Sequence, residues 1–194
     1  METDQSAMSA AIDTIEIQNV VASTGIGHEL DLEALCMDLT GADFDPDNFP
    51  GLVYRIQDPK AASLIFRSGK VVCTGASSVD DVKAALGIVF EELDDLGIPI
   101  DGTPEITVQN IVSSADLGES LNLNAIAIGL GLEDVEYEPE QFPGLVYRME
   151  KPEVVILAFG SGKVVITGGK QPADARAAVE NFTDEIDSLG LLNG

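Results

Sequence analysis

The sequence predicts an α+β fold built from two copies of one unit. The motif FPGLVYR at Phe49–Arg55 is repeated without change at Phe142–Arg148, and SGKVV at Ser68–Val72 is repeated at Ser161–Val165. The copies lie about 90 residues apart, a period too long for a stacked repeat array. In each copy, short β-forming runs separated by turn signals precede an amphipathic helical pattern. These observations predict an antiparallel sheet and covering helices in each copy.

The first copy begins with a β-forming segment and a short helix. Residues 15–23 are rich in β-branched side chains, and leucines at helical spacing predict a helix within residues 32–39. Three short strands are predicted next, at Leu52–Gln57, Ala62–Phe66 and Lys70–Thr74, because turn signals separate them. Their close spacing favours antiparallel hairpins.

A long amphipathic helix closes each copy. Ser78 and Asp81 form a sequence typical of a helix capping box, while Gly97 and Gly190 are helix stop signals. An apolar stripe at helical spacing predicts the face that packs on the sheet. Its members are Val82, Leu86, Val89, Leu93 and Leu96 in the first copy, and Ala175, Val179, Phe182, Ile186 and Leu189 in the second.

The composition indicates a folded, strongly acidic protein. The 194 residues carry 34 acidic and ten basic side chains, a formal net charge of −24, while 45% of the residues are hydrophobic. This apolar content excludes an acidic disordered chain. An acidic surface favours concentrated salt, where the Debye length is about 3 Å at 1 M and self-repulsion is screened. We therefore expect a halophilic source; the alternative is an acidic protein from a mesophile.

Basic residues are concentrated in the predicted strand regions. Only Lys83 and Arg176 fall in the terminal helices, and the remaining bases are Arg55, Lys60, Arg67, Lys70, Arg148, Lys151, Lys163 and Lys170. Lysines at sheet edges that prevent aggregation are one explanation. That explanation does not account for the apolar residues beside them.

One face of the predicted sheet is unusually apolar. Alternation puts Leu64 and Phe66 on the face opposite Ile65, and the second copy repeats the pattern with Leu157 and Phe159. A helix-covered sheet normally has a polar open face, so an apolar one indicates a partner. The neighbouring bases favour a polyanion as that partner.

Paired motifs make the chain similar to the TATA-box-binding protein family. They are QNVV and QNIV at residues 18–21 and 109–112, FPGLVYR in both copies, and F-x-SGKVV-x-TG at residues 66–75 and 159–168. The resemblance covers residues 15–191 and looks archaeal. It implies two tandem repeats that form a saddle with one continuous curved antiparallel sheet. DNA would lie under the concave face, and the helices would cover the convex face.

The chain organisation follows from the same resemblance. We expect a flexible amino-terminal tail at residues 1–14, a first repeat at 15–98, a linker at 99–105 and a second repeat at 106–191.

The resemblance also implies contacts with the DNA minor groove. Intercalation between base steps is expected of Phe49, Phe66, Phe142 and Phe159. Contacts within the groove are expected of Asn19, Val21, Leu64, Val72, Thr74, Asn110, Val112, Leu157, Val165 and Thr167. Phosphate contacts are expected of Arg55, Ser68, Lys70, Arg148, Ser161 and Lys163.

A basal transcription factor is the function that this resemblance implies. It would bind and bend A·T-rich double-stranded promoter DNA and recruit transcription factor B and RNA polymerase. Glu138 and Glu140 would contact transcription factor B, although a solvated acidic loop is an equal alternative. We expect a cytoplasmic, nucleoid-associated protein without membrane contact, whose free form self-associates through its apolar face.

Motifs typical of catalysis or metal binding are incomplete. The phosphate-loop-like stretch at residues 160–163 lacks the earlier glycine, and the acidic residues at 43–47 lack the other ligands of a calcium loop. His28, the only histidine, has no partner for chemistry and is expected at the surface. We expect no catalysis, cofactor or metal. The alternative function is a duplicated α+β module that binds a protein or hydrophobic ligand instead of DNA.

Overall fold

The computed structural model describes residues 2–192, which divide into two compact units. One unit is Asn19–Gln109, and the other combines residues 2–18 with residues 110–192. The helices are α1 (Glu2–Asp13), α2 (Leu32–Asp38), α3 (Val79–Asp95), α4 (Leu123–Leu130) and α5 (Pro172–Ser188). The strands are β1 (Glu16–Gly25), β2 (Ala42–Asp43), β3 (Leu52–Gln57), β4 (Lys60–Ile65), β5 (Lys70–Ala76), β6 (Thr107–Asp116), β7 (Val135–Glu136), β8 (Leu145–Glu150), β9 (Glu153–Ala158) and β10 (Lys163–Gly169). The predicted α+β class is confirmed.

The first unit, Asn19–Gln109, has an antiparallel sheet in the order β2-β3-β4-β5-β1. Leu64 lies opposite Val72 on β5 and opposite Val53 on β3. Directly opposed residues share a face of the sheet, so this register aligns the apolar side chains in a row. Strand β4 ends at Ile65, one residue earlier than predicted, and leaves Phe66 just beyond the strand.

The second unit repeats this arrangement in the order β6-β10-β9-β8-β7. Leu157 lies opposite Val165 on β10 and opposite Val146 on β8. The sequence duplication is therefore a duplication of strand order and register.

Helices cover one face of the sheet in each unit. Helix α3 packs on β4 and β5, and α5 packs on β9 and β10. Most of the predicted apolar stripe is buried there, with Phe182 as the largest fully buried side chain of the described residues. Its last members were predicted wrongly, because Leu96 and Leu189 lie beyond the helix ends and are 38% and 40% exposed.

The ends of α3 follow the predicted signals. The backbone N–H of Asp81 donates to the Ser78 Oγ at 3.0 Å, which caps the first turn. Gly97 has φ 81°, and its N–H donates to the Asp94 carbonyl at 2.9 Å. Glycine adopts this left-handed conformation without steric cost, so the helix ends there.

The amino-terminal segment differs from the flexible tail predicted for residues 1–14. Its first residue lies outside the described range, but Glu2–Asp13 form α1, which packs against α5. Ala11 is 2% exposed and belongs to the same buried cluster as Phe182. Thr14 Oγ1 donates to the Ala11 carbonyl at 2.6 Å and accepts from the Asp116 N–H at 2.8 Å. The tail prediction was wrong because contact with α5 stabilises a helix whose own sequence has too few apolar residues to predict it.

Candidate nucleic-acid interface

The uncovered face of the first unit is apolar. Leu64, Val72 and Thr74 are partly exposed, whereas Ile65 and Val71 on the opposite face are fully buried. Val21 on β1 is also partly exposed. This alternation confirms the two faces predicted from the sequence, because the helices cover only one of them.

The second unit presents the equivalent surface. Its partly exposed residues include Val112, Leu157, Val165 and Thr167. Ile156, which precedes Leu157 on β9 and lies on the opposite face, is fully buried. Each predicted groove-lining residue thus lies on the uncovered face of its own unit.

An asparagine is held in a fixed orientation on each of these faces. Asn19 Oδ1 accepts the N–H of Gly75 at 2.7 Å, and its Nδ2 donates to Thr74 Oγ1 at 3.2 Å. In the second unit, Asn110 Oδ1 accepts the N–H of Gly168 at 2.6 Å. Because an amide nitrogen carries two hydrogens, one donor remains for a ligand. Such a donor matches the acceptor-only edge of an A·T pair in the minor groove.

Two pairs of phenylalanine rings flank the apolar faces. Phe49 and Phe66 pack edge to face with centroids 5.8 Å apart, and Phe142 and Phe159 do so at the same distance. Phe142 is 38% exposed and the other three rings are partly exposed. The rings lie outside the buried core, so they are accessible to a ligand.

A glycine leaves room for the rings beneath each ring pair. A Cβ on Gly51 would lie 2.7 Å from Phe49 Cε1 and 3.0 Å from Phe66 Cε1. A Cβ on Gly144 would lie 2.7 Å from Phe142 Cε1 and 3.0 Å from Phe159 Cε1. These glycines belong to the repeated FPGLVYR motif and were not among the predicted site residues. Their invariance between the two copies was the available signal.

Val53 and Val146 were also missed. Both are partly exposed, and each lies opposite a leucine that is predicted to line the groove, on the adjacent strand. The alternation within Leu52–Gln57 could have placed Val53 on the open face once its pairing with β4 was known.

Side chains suited to phosphate contact are exposed in both units. Arg55, Ser68, Lys70, Arg148, Ser161 and Lys163 are all solvent-exposed. Arg148 approaches Glu136 at 3.7 Å, but both side chains are more than half exposed, so this ion pair is weak. The lysines follow the turns that carry Phe66 and Phe159, which brings cationic and aromatic groups together in sequence and space.

The acidic loop before β8 contains the two predicted partner-binding glutamates. Glu138 and Glu140 are exposed, and the Glu138 carbonyl accepts the N–H groups of Gln141 and Phe142, each at 2.9 Å. These bonds form a turn that leads directly into the ring pair. The binding role of the glutamates stays a prediction.

The tyrosine of the second FPGLVYR motif contacts helix α5 in the second unit. Tyr147 donates its hydroxyl hydrogen to Glu185 Oε2 on α5 at 2.9 Å and packs 6.1 Å from the Phe182 ring centroid. Burial first, then this hydrogen bond and the nearby carboxylates, raise the pKa of Tyr147 to about 12. This tyrosine stabilises the helix–sheet contact.

Residues 2–192 contain neither a metal-binding cluster of side chains nor a helix able to span a membrane. No cluster of three or more His, Cys, Asp or Glu side chains there could hold a metal ion. None of the helices in the same range has the length and apolar character needed to cross a bilayer.

Comparison with known proteins assigns the chain to a family. The family model described as "Transcription factor TFIID (or TATA-binding protein, TBP)" matches residues 14–96 and 105–189. A solved structure, Methanococcus jannaschii TBP, superposes with a TM-score of 0.79 at 53% identity and covers 90% of this chain and 98% of its own.

Relatives of high identity come from halophilic archaea. TATA-box-binding protein 2 of Haloferax volcanii is 76% identical over 185 residues, which cover 95% of this chain and all of the relative. The TATA-box-binding protein of Natronomonas pharaonis is 69% identical over 182 residues, covering 94% of this chain and 97% of the relative. The family resemblance is confirmed, and these relatives of high identity agree with the halophilic source expected from the acidic composition. The chain belongs to the TATA-binding protein family.

Proposed function

We propose that this protein is a basal transcription factor that binds and bends A·T-rich promoter DNA through the minor groove. The observation that carries the proposal is the repeat-paired apolar face, with an oriented asparagine and an accessible phenylalanine pair in each unit. A guanine amino group would be poorly solvated against such a face, which favours A·T pairs.

Each class of residue has a distinct role in this proposal. The four rings wedge between base steps, the aliphatic side chains with Asn and Thr line the groove, and the exposed Arg, Lys and Ser side chains contact phosphates. Burial of the rings would contribute roughly 15–25 kcal/mol gross. Unstacking, bending and association offset most of that gain.

Recruitment is the second half of the proposal. Glu138 and Glu140 contact transcription factor B, which then brings RNA polymerase to the promoter. The protein acts without catalysis, in the cytoplasm at the nucleoid. The repeats run from 15 to 98 and from 106 to 191 with a linker at 99–105. Without DNA, the apolar face promotes self-association.

A mobility-shift assay in molar KCl tests the DNA-binding proposal. An A·T-rich duplex should bind, while a G·C-rich duplex of equal length should not. Equal binding of both duplexes, or none, would favour a module that binds a protein or hydrophobic ligand. Affinity should also persist as KCl rises, because screening weakens the ionic contribution and leaves the apolar one. A steep loss of affinity with salt would contradict the apolar mechanism.

A further inference from the structure

His28 lies in the loop between β1 and α2, with both ring nitrogens against backbone carbonyls. Its Nε2 is 2.6 Å from the Pro99 oxygen, and its Nδ1 is 3.0 Å from the Glu29 oxygen. A neutral imidazole has only one N–H, so it can donate to only one of these acceptors. The imidazolium donates to both, and the geometry therefore favours the charged ring.

The surroundings favour the same charge state. The Glu29 carbonyl, then the Pro99 carbonyl, and to a smaller extent the Asp101 charge raise the pKa of His28 above its ordinary 6.5, against a modest effect of desolvation. The ionisable groups around the loop are Glu29, Asp31, Glu33 and Asp38 from the loop and α2, Asp101 beyond α3, and Arg67 beside Glu29, Asp31 and Glu33 on the β4–β5 turn.

The backbone of the same loop holds the β4–β5 turn. The N–H of Ile26 donates to the Gly69 carbonyl at 3.0 Å, and the N–H of Leu30 donates to the Arg67 carbonyl at 2.8 Å. Gly69 has φ 87°, and a side chain there would collide with the His28 carbonyl oxygen. Two backbone hydrogen bonds and one close backbone approach therefore join the loop to the turn.

We propose that protonated His28 is a positioning residue that ties Pro99 to this loop and so fixes the β4–β5 turn for DNA contact. The inference rests on the proposed function, because Phe66 and Lys70 at the two ends of the turn are its expected DNA contacts. The histidine acts through the loop and touches no DNA itself.

The second repeat makes the same loop contacts without a histidine. Leu117 N–H donates to the Gly162 carbonyl at 2.9 Å and Leu121 N–H to the Gly160 carbonyl at 3.0 Å, and Glu119 occupies the position of His28. Proton dependence is thus confined to the first repeat. We call the two hydrogen bonds from protonated His28 to the Glu29 and Pro99 carbonyls the clamp. Because the pKa of His28 is raised in the folded state, the clamp is complete below pH 6.5 and is lost as pH rises through the folded pKa.

The first test uses the full chain without DNA in molar KCl. Because the sequence has one histidine, its NMR titration is unambiguous and should have a midpoint above 6.5. Hydrogen exchange at the Ile26 and Leu30 amides, corrected for intrinsic pH dependence, should lose protection about fivefold above that midpoint, as for a weakly coupled pair of sites. The Leu117 and Leu121 amides should not change.

Two variants separate the charge from the fold. His28→Gln should remove the pH dependence at Ile26 and Leu30, and His28→Arg should keep them protected at every pH because guanidinium stays charged. Glu119→Gln is the matched control in the second repeat and should leave the step unchanged. A histidine midpoint at or below 6.5, or the same protection step in His28→Gln, would overturn the clamp.

The second test adds the A·T-rich duplex across the same pH range. Affinity should fall about fivefold above the His28 midpoint in the original protein and stay level in His28→Gln and His28→Arg. Unchanged affinity despite a protection step would overturn the positioning role. Absence of A·T-specific binding at every pH would instead contradict the proposed function, while the exchange data would still decide the clamp.

Discussion

Asn110 and Gly168 are joined by a hydrogen bond of 2.6 Å from the glycine N–H to the asparagine Oδ1. This bond fixes which side of the amide faces the threonine on β10 and leaves an N–H for a ligand. Asn19 and Gly75 have the same relationship in the first unit. Orientation of a donor by the backbone is the feature on which selective recognition of an acceptor-only groove would depend.

Asn110→Asp should weaken DNA binding while the local fold around Gly168 is kept. The carboxylate can still accept the Gly168 N–H, but it offers no donor to the groove and brings a negative charge towards it. Affinity for the A·T duplex should fall about 5- to 150-fold, which corresponds to the 1–3 kcal/mol of a lost base contact. Asn124→Asp, at an exposed position of α4, makes the same charge change away from the face and should leave affinity unchanged in the same mobility shift.

Phe66→Ala and Phe159→Ala should each reduce DNA bending more than Lys70→Ala. The rings would act as wedges at the base steps, whereas the lysine contributes a charge that concentrated salt screens. Energy transfer between dyes at the two duplex ends measures the bend at saturating protein. A larger effect of the lysine change would contradict a wedge mechanism.

Gly51→Ala should disturb the first ring pair with little change in stability. The new Cβ would lie 2.7 Å from Phe49 Cε1, so the ring must shift, and a partly exposed ring can do so. We expect weaker bending, with the free energy of unfolding altered by less than about 1 kcal/mol. Denaturant titration and the dye assay measure the two effects, and unaltered bending would show that ring placement does not matter.

Gly87→Ala should stabilise the protein. Gly87 lies inside α3, and a Cβ there meets no atom within 4 Å. Alanine in a helix interior is favoured over glycine by about 0.8–1.0 kcal/mol, so denaturant should unfold the variant at higher concentration. It also serves as the control for Gly51→Ala, because its DNA bending should be unchanged.

Tyr147→Phe should change the response of stability to alkali. The pKa of Tyr147 is about 12 in the folded protein against 10.0 ordinarily, so the folded state holds this proton more tightly. Its contribution is therefore complete below pH 10 and is lost as pH rises towards 12. Unfolding titrations across this range should lose less stability in the variant than in the original protein. Equal losses would assign the alkaline response to other groups.

The open face of each sheet, which carries the candidate site, was predictable because a duplicated sequence repeats the same alternation of residues. Alternation along β4 and β5 placed Leu64 and Val72 on the open face, and the same pattern in the second copy placed Leu157 and Val165. By contrast, the importance of Gly51 depends on two rings that approach it from different segments. A linear pattern does not report such a meeting of distant residues.

The prediction for residues 1–14 failed for the same reason. Helix α1 depends on α5, and Ala11 gains its buried place only when a core from the other end of the chain is present. Its own sequence is polar and too short to be a stable helix in isolation.

The sequence by itself determined the duplication, the fold class, the two faces of each sheet and the family, since these depend on local periodicity and on motifs repeated along the chain. Only the tertiary structure decided how Asn110 is oriented, why glycine lies beneath the rings, and that His28 meets two carbonyls. Those features depend on distances of a few ångströms between residues far apart in the chain, and such distances exist only after the backbone has folded.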